Sequence, residues 1–436
     1  MNKNPVKLAL SPEAIEHWGL SKGEKLSLAL GKKTVKVMIT QGESSTEPEY
    51  IYIDRELARV MGVPEGIRLN LKKQGKTLRM GPLIGILAGR YSKERASFGS
   101  QNSFFRSLLA SLRDLNGIGF IFCPSDINSE RKSIYGYYIM GKTDERWKRM
   151  RFPFPDVCYN RHASDGSSPG SYHSITLLTR HGVKSFNSSI GSKWAVHKLL
   201  LSHRDIAPHL PETHLLNSGK VLLSMIKKHH EVYLKPPSGC KGRGIMRVSR
   251  KKGAYLLKTY QSNSYLCRSA QEVLQKTRGR MNCTMPIVQQ SIRLPGNGKH
   301  IDFRVLVQKD RFNQWSLTGI AARIGVDGQI TTNLHAGGKA QDAQTSLLDR
   351  GFTPEQIVSI NNKLEELALK IAVIIDSKYR TLGELGLDFL VDKKGKVWFL
   401  EANPRPGRRS FKDISAELRR IAVSRPMEYA CFLAGF

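Results

Sequence analysis

Near the carboxyl end of the chain, the apolar residues Leu387, Phe389 and Val391 alternate with Asp388, Leu390 and Asp392, a period of two. This spacing is typical of a β-strand with one buried face. Lys394 and Gly395 then form a candidate two-residue turn, and the apolar run 397–400 predicts a buried return strand. The pattern therefore predicts a β-hairpin.

The register of this hairpin brings two carboxylates together. A turn centred on 394–395 places Asp388 directly opposite Glu401, with Cβ atoms about 4.5–5.5 Å apart, and Asn403 on the same face. Directly opposed like charges repel each other, and oxygen ligands of this kind suit Mg²⁺, which often shares its ligand shell with substrate phosphates. The strand pattern alone leaves two interpretations open, a metal site and a solvated face with lysine neighbours.

An internal repeat occupies the amino-terminal region. Residues 14–37 and 57–80 align without gaps at an offset of 43. Each copy predicts a short helix, a glycine turn and two strands, and neither copy is long enough to bury its own apolar face. We predict that the copies pair about a pseudo-twofold axis into a small β-barrel over 1–81, similar to double-psi and swapped-hairpin barrels. A docking or lid role and a second active site are both open for this domain.

Residues 82–187 follow a different pattern, with apolar strands at 83–87 and 117–122 separated by an amphipathic helix over 102–115. Strand, helix and strand in this order predict a small parallel α/β domain. The segment 160–172 is rich in Ser, Gly and Pro and predicts an exposed loop. Such a loop is either a polar connector or a carrier of substrate groups.

The segment that begins at 188 contains a basic, glycine-rich stretch. Ser192 predicts the N-cap of a helix that starts at Lys193, and a strand over 232–235 ends at Lys235 and enters the loop PPSGCKGRG. Glycines let backbone amides approach phosphate oxygens, although an ordinary hairpin turn has the same composition. The P-loop spacing G-x-x-x-x-G-K-[ST] is absent.

Composition narrows the class of protein. The chain has 436 residues, 40% of them hydrophobic, so two to four globular domains are expected. Its six cysteines show no C-x-x-C spacing, which argues against zinc and against a disulfide scaffold. No apolar run has the length of a membrane span, and the first residues lack the apolar segment of a signal peptide, so we expect a cytosolic protein.

The formal net charge of +32 and the pI of about 10 predict attraction to polyanions. Basic residues are spread along the whole chain, and neither zinc-finger spacing nor an RNP aromatic signature is present. A generally basic surface and a dedicated nucleic-acid site are both open.

Five dispersed elements, in this order, resemble the ATP-grasp superfamily. They are a Lys that opens a helix, a strand Lys with a glycine-rich loop, a hinge strand, basic strands, and an Asp…Glu-x-Asn hairpin over about 188–410. With its barrel and the segment FLEANPRPG, the whole chain resembles the YheC/YheD type of endospore coat-associated ATP-grasp proteins of bacilli. The fold implied is α/β (α+β), with an ATP-grasp domain over 188–436 preceded by a pre-ATP-grasp α/β domain over 82–187 and the pseudo-twofold β-barrel over 1–81.

The resemblance also implies roles for individual residues. Asp388, Glu401 and Asn403 are expected to bind one or two Mg²⁺. The residues expected to bind ATP, through its phosphates or its adenine, are Lys193, Lys235, Ser238, Gly239, Lys241, Gly242, Gly244, Gln289, Ser291 and Ile292. Gln289 stands where the superfamily often has Glu. The residues expected to act on the transferred phosphoryl group or the substrate carboxylate are Arg304, Arg323, Asn333 and Arg405.

The reaction implied is carboxylate activation, in which ATP converts a carboxylate into an acyl phosphate that an amine or thiol then attacks. Catalysis of this kind rests on positioning and electrostatics. The basic surface favours an acidic peptide, a polymer or the spore surface as the partner. Three alternatives are an ATP-grasp kinase, an ATP-binding coat component without ligation, and a polyanion binder whose affinity falls with salt and ignores ATP.

Overall fold

A computed structural model describes residues 6–44, 46–47, 51–139, 146–162, 170–237, 244–278, 280–281, 285–295, 300–330, 332, 337–412 and 414–436. The chain divides into two compact units. The first comprises Met1–Asn187, Asp310–Asn313 and Val423–Phe436, and the second comprises Ser188–Lys309 and Gln314–Ala422. Among the described helices, none is both long and apolar enough to cross a membrane. The division into three domains stays a prediction.

The amino-terminal repeat forms a five-stranded sheet in the first unit. Its elements are β1 (Val6–Leu10), α1 (Pro12–His17), β2 (Lys25–Leu30), β3 (Lys33–Gln41), α2 (Arg55–Met61), β4 (Asn70–Gln74) and β5 (Thr77–Gly81). Ser11 and Asp54, separated by the repeat offset, cap α1 and α2 by accepting hydrogen bonds from the backbone N–H three residues later. Each copy therefore gives a helix and an antiparallel strand pair. The strand order is β1-β3-β2-β5-β4, and closure into a barrel stays a prediction.

The following segment forms a second, mixed sheet in the first unit. Its elements are β6 (Leu83–Leu87), α3 (Asn102–Asp114), β7 (Ile118–Phe122), β8 (Ile127–Asn128), β9 (Ser133–Tyr138), β10 (Lys148–Pro153), β11 (Val157–Asn160), α4 (Gly170–Arg180) and β12 (Lys184–Phe186). As the strand–helix–strand pattern predicted, β6, β7, β11 and β12 are parallel, whereas β9 and β10 form an antiparallel edge. Helix α3 covers one face with its buried Phe105, Leu108 and Leu112.

The second unit begins with an antiparallel six-stranded sheet. Its elements are α5 (Lys193–Leu201), β13 (Thr213–Leu215), α6 (Gly219–His229), β14 (Glu231–Lys235), β15 (Met246–Lys251), β16 (Ala254–Thr259), β17 (Ser264–Cys267), α7 (Ala270–Arg278) and β18 (Ile287–Gln290). The strand order is β13-β18-β14-β15-β16-β17. Helices α6 and α7 bury one face through an apolar cluster that includes Leu222, Val232 and Val273. Lys235 and Gln289 alternate with the buried positions and lie on the opposite face.

A five-stranded sheet and a long helix complete the second unit. The elements are β19 (Ile301–Lys309), β20 (Trp315–Ile324), β21 (Lys339–Asp342), α8 (Ala343–Leu348), α9 (Pro354–Tyr379), β22 (Glu384–Val391), β23 (Val397–Asn403), α10 (Arg409–Lys412) and the first part of α11 (Ala416–Ala434), whose residues from Val423 onward belong to the first unit. The strand order is β21-β20-β19-β22-β23. Thr353 and Gln356 form a capping box at the start of α9, and the buried stripe of this helix runs from Ile357 to Ile375.

Strand β19, the central strand of this sheet, is buried along its whole length, although four of its residues are polar or charged, namely Asp302, Arg304, Gln308 and Lys309. Buried charges are stable only when they are paired and hydrogen-bonded. The side chains that pair with these buried residues therefore indicate where a functional site could lie in this sheet.

Candidate functional site

The hairpin of β22 and β23 places Asp388 directly opposite Glu401, as the alternation predicted. The route to this register differs from the prediction. The turn has three residues, 393–395, with Gly395 at a φ of 79° and Asp392 accepting hydrogen bonds from the backbone N–H groups beyond it. A β-bulge between Asp388 and Phe389 then shifts the register by one residue and aligns the two carboxylates.

Asp388 belongs to a buried network of two carboxylates and two guanidinium groups. Arg304, its cross-strand neighbour in β19, donates from Nε and Nη2 to both carboxylate oxygens, the Nη2–Oδ2 distance being 3.0 Å. Arg323 of β20 donates to both oxygens of Asp302 at 2.5 and 2.8 Å and reaches Asp388 Oδ2 at 2.8 Å. The sheet register thus aligns two bidentate pairs that share one bridging arginine.

The charges in this network depend on one another. Burial raises the pKa of Asp302, and the adjacent Asp388 raises it further, whereas Arg323 opposes the shift. Burial disfavours the Arg323 cation, but Asp302 and Asp388 outweigh this effect and raise its pKa. Thr332 donates its hydroxyl hydrogen to Asp302. The two carboxylates therefore keep Arg323 charged in a site where a lone charge would be unstable.

Glu401 lies beside a lysine of helix α5. Its carboxylate pairs with Lys193 Nζ and accepts a hydrogen bond from Asn403 Nδ2 at 3.3 Å. Burial favours protonation of Glu401, but Lys193 holds the pKa of its carboxyl far below the ordinary value. Lys193 is the first residue of α5, whose N-cap Ser192 accepts a hydrogen bond from the backbone N–H of Ala195 at 3.1 Å. The cap therefore fixes the lysine beside the predicted metal ligands.

Lys235, at the end of β14, supplies a further cation. Burial lowers its pKa to about 8, and the nearby Glu401 partly opposes this shift. Its Nζ donates to Gln289 Oε1 at 2.5 Å, and Gln289 Nε2 donates to the Thr213 hydroxyl at 3.0 Å. The Gln289 amide thus bridges two neighbouring strands and orients the lysine, and its contact with adenine stays a prediction.

The other predicted residues fall in several places. Ser291 donates its backbone N–H to Glu231 O at 3.2 Å and its hydroxyl to Glu231 Oε1 at 2.8 Å, and Ile292 follows it half-buried. Gly244 ends the glycine-rich loop at a φ of 78°. Arg405 lies half-buried just after β23. The predicted residues that lie outside the described part of the chain are Ser238, Gly239, Lys241, Gly242 and Asn333.

Two features of the site were not predicted. Asp302 had a usable signal, because it alternates with Arg304 on one strand face and pairs with Arg323 in the register. The second feature has no spacing signal. Fully buried Glu384, at the start of β22, pairs with Arg408 and accepts a hydrogen bond from Gln308 Nε2 at 3.1 Å. This pair anchors the segment that follows β23.

The donor set fits a hard divalent cation bound to a nucleotide triphosphate. Asp388, Glu401 and Asn403 present two carboxylates and one amide on neighbouring strand positions, and oxygen ligands of this kind suit Mg²⁺. In the part of the chain that the structure describes, no three His, Cys, Asp or Glu side chains converge as metal ligands, so the fit rests on this mixed set. The surrounding Lys and Arg side chains match phosphate oxygens.

Comparison with known proteins gives consistent relationships. Residues 182–433 match the family model described as YheC/D-like ATP-grasp. The endospore coat-associated protein YheD of Bacillus subtilis (strain 168) is 29% identical over 448 residues, which cover 100% of this chain and 95% of that protein. The endospore coat-associated protein YheC of the same organism is 24% identical over 332 residues, which cover 73% of this chain and 88% of that protein.

Two solved structures show a more distant similarity. D-cycloserine synthetase DcsG is 12% identical with a TM-score of 0.47, and the match covers 80% of this chain and 99% of that one. The VanG D-Ala:D-Ser ligase from Enterococcus faecalis is 13% identical with a TM-score of 0.47, and the match covers 81% of this chain and 99% of that one.

Proposed function

Because this chain belongs to the YheC/D-like ATP-grasp family, we propose that it is a ligase that uses ATP and Mg²⁺ to activate a carboxylate. The observation that supports this proposal most directly is the convergence of Asp388 and Glu401 with a set of buried or half-buried cations from three strands and one helix. Paired carboxylates with adjacent Lys and Arg are the side chains that a metal–triphosphate complex requires.

In the proposed reaction, an oxygen of the substrate carboxylate attacks the γ-phosphorus of ATP. The bond between that phosphorus and the β–γ bridging oxygen breaks, and the products are an acyl phosphate and ADP. An amine or thiol then attacks the acyl carbon, its proton passes to solvent, and inorganic phosphate leaves. Mg²⁺, when bound, neutralises charge on the phosphate oxygens.

The residues of this chain have distinct tasks in the proposal. Asp388, Glu401 and Asn403 hold the cation. Arg304 and Arg323 neutralise charge that develops on the transferred phosphoryl group, and their bidentate bonds hold them in place before substrate arrives. The other residues assigned to ATP or substrate carry over from the predicted set, namely Lys193, Lys235, Ser238, Gly239, Lys241, Gly242, Gly244, Gln289, Ser291, Ile292, Asn333 and Arg405.

Trapping the acyl phosphate tests this proposal. Wild-type protein is incubated with Mg²⁺, ATP and pooled carboxylic acids, with hydroxylamine as the nucleophile, and both ADP and hydroxamate are measured. The proposal predicts equal amounts of the two products from at least one pool, and loss of both in Glu401→Gln. A stable phosphorylated product that resists hydroxylamine would instead identify a kinase.

The two curated relatives are both named as endospore coat-associated proteins, so we propose that this chain also associates with the coat. This localisation supports a second candidate, an ATP-binding coat component without ligase activity. A fluorescent fusion followed through spore formation tests the localisation. ATP that raises the melting temperature, together with an absence of ADP release from every pool, would favour the second candidate.

A further inference from the structure

Positive charge is concentrated in one part of the second unit. Residues 188–309 contain 22 Lys and Arg side chains against five Asp and Glu side chains. The predicted nucleotide contacts account for only a few of these cations. The densest stretch is 244–281, where nine Lys and Arg side chains meet a single carboxylate, Glu272. A second anion would balance this excess.

The dense stretch includes an edge strand of the six-stranded sheet. Strand β17 pairs antiparallel with β16, and among the described residues no other strand pairs with its outer side. An edge of this kind presents backbone N–H and C=O groups to an incoming chain. Leu266, at the centre of the strand, is 64% exposed. Within the described part of the chain, the strand thus combines an unpaired outer side with an exposed apolar side chain.

The two faces of β17 differ in chemistry. Tyr265 points to the face covered by α7, where the Arg280 guanidinium lies 4.5 Å and Lys276 Nζ lies 5.5 Å from the ring centroid. Leu266 points to the opposite face, because neighbouring strand residues alternate. One face of the edge therefore presents Arg280 and Lys276, which also pairs with Glu272 at 3.5 Å, and the other presents the exposed Leu266 with Lys258 of β16 on the same face.

These contacts discriminate between classes of anion. Recognition of single-stranded nucleic acid relies on aromatic rings on which bases stack. Lys276 and Arg280 already lie against the ring of Tyr265, which reduces its availability for stacking with a base. The cations instead suit the carboxylates of an acidic chain, and the alternation of the two faces matches an extended peptide.

A simpler role for these charges is to prevent pairing between copies of the chain, since charged edge strands resist aggregation. This role accounts for the cations, but an exposed Leu266 works against it. Repulsion between like charges also makes a second copy a poor occupant. The charge of this edge therefore disfavours pairing with a second copy of the chain and favours pairing with a negatively charged strand.

We propose that the β17 edge surface, defined as β17 with Lys276 and Arg280, binds an acidic polypeptide that adds to the sheet as a further strand. Acidic residues at alternate positions face the two cations, and the intervening apolar residues contact Leu266. The proposal goes beyond the ligase activity and does not depend on it, because the interaction requires neither ATP nor turnover.

Fluorescence anisotropy tests the proposal with a labelled ten-residue peptide of alternating Glu and Val, in 100 mM salt without nucleotide. We expect saturable binding to the full wild-type chain, at least tenfold weaker binding to Lys276→Glu/Arg280→Glu, and weakening as salt rises. Lys22→Glu/Lys25→Glu is the matched control, because it makes the same change in net charge on exposed lysines of the first unit. This control variant is expected to bind as the wild type does.

Two further probes test strand addition itself. Methylation of alternate backbone nitrogens of the peptide is expected to abolish binding, since it removes the donors that pair with the edge. A ten-residue peptide with the same five Glu and five Val in two blocks is expected to bind at least fivefold more weakly. Melting temperatures and ATP-induced stabilisation equal to wild type confirm that the variants fold.

Several results would overturn the proposal. One is an absence of peptide binding to the wild-type chain, and another is an equal loss of binding in the two charge-reversal variants. Tighter binding of a ten-nucleotide oligothymidylate, lost in Lys276→Glu/Arg280→Glu, would assign the surface to nucleic acid. A peptide that binds equally well after backbone methylation would exclude strand addition.

Discussion

Arg323 bridges two buried carboxylates, so its replacement by methionine is the sharpest test of the network. Arg323→Met keeps most of the side-chain volume but removes the arginine that pairs with Asp302, whereas Asp388 keeps its pair with Arg304. Removal of one partner from a buried ion pair costs about 3–5 kcal/mol, because the remaining charge is uncompensated. For a unit of this size, that loss lowers the melting temperature by roughly 6–20 °C.

The effect of Arg323→Met is expected to depend on pH. Asp302 has a raised pKa in the folded chain, so its charged form is the unfavourable one. Stability that such a group contributes is present at low pH and is lost as pH rises through the folded pKa. Without Arg323 this pKa rises further, so the variant is expected to lose more stability at pH 8 than at pH 5.

Calorimetry at both pH values measures these differences for wild type, Arg323→Met and Asp302→Leu/Arg323→Met. The double variant removes the orphaned carboxylate and is expected to recover at least half of the lost stability. A loss of less than about 1 kcal/mol in the free energy of unfolding of Arg323→Met, a value typical of exposed pairs, would show that Arg323 does not stabilise the buried carboxylates. A loss that is the same at pH 5 and pH 8 would also contradict this role of Arg323.

Three further predictions concern neighbouring positions. Gly386→Ala is expected to lower the free energy of unfolding by about 1–3 kcal/mol and to weaken stabilisation by ATP, because the new Cβ would lie 2.7 Å from Pro406 Cβ. The control Gly407→Ala meets open space and is expected to change neither the free energy of unfolding nor the stabilisation by ATP. ATP affinity measured by calorimetric titration is expected to fall above pH 8 as Lys235 loses its proton, by up to about tenfold per pH unit. Lys235→Arg should remove that fall, and an unchanged pH profile would contradict the assignment. Glu384→Gln is expected to cost about 3–5 kcal/mol in thermal unfolding, because its buried guanidinium partner loses its counter-charge. A change below about 1 kcal/mol would show that the pair is not required.

The strongest sequence patterns predicted their elements correctly, because interactions between residues close in the chain determine those elements. The alternation over residues 387–392 predicted the β22–β23 hairpin, and the N-cap Ser192 predicted the start of α5. The ordered set of dispersed elements gave the family, and the match over residues 182–433 confirms both the resemblance and the ATP-grasp fold. Such features depend on near neighbours in the chain, which a sequence displays directly.

Features that depend on distant pairing were harder to predict. The pairing of Asp388 with Glu401 was correct, but the predicted turn was one residue too short and the register next to it was off by one, because a bulge has no signature in an apolar run. The link between Arg323 and Asp388 joins strands that are separated by α9, so alternation within one strand carries no sign of it. The Glu384–Arg408 pair is a long-range contact of the same kind.

We claim that Asp388, Glu401 and Asn403 form a Mg²⁺–ATP site, and calorimetric titration of ATP is the measurement to make for it. Wild type and Glu401→Gln are each titrated with ATP in the presence of Mg²⁺ and again in the presence of a chelator. We expect Mg²⁺ to strengthen ATP binding at least tenfold in the wild type and at most twofold in the variant. Equal strengthening in both proteins would contradict the claim and place the metal elsewhere.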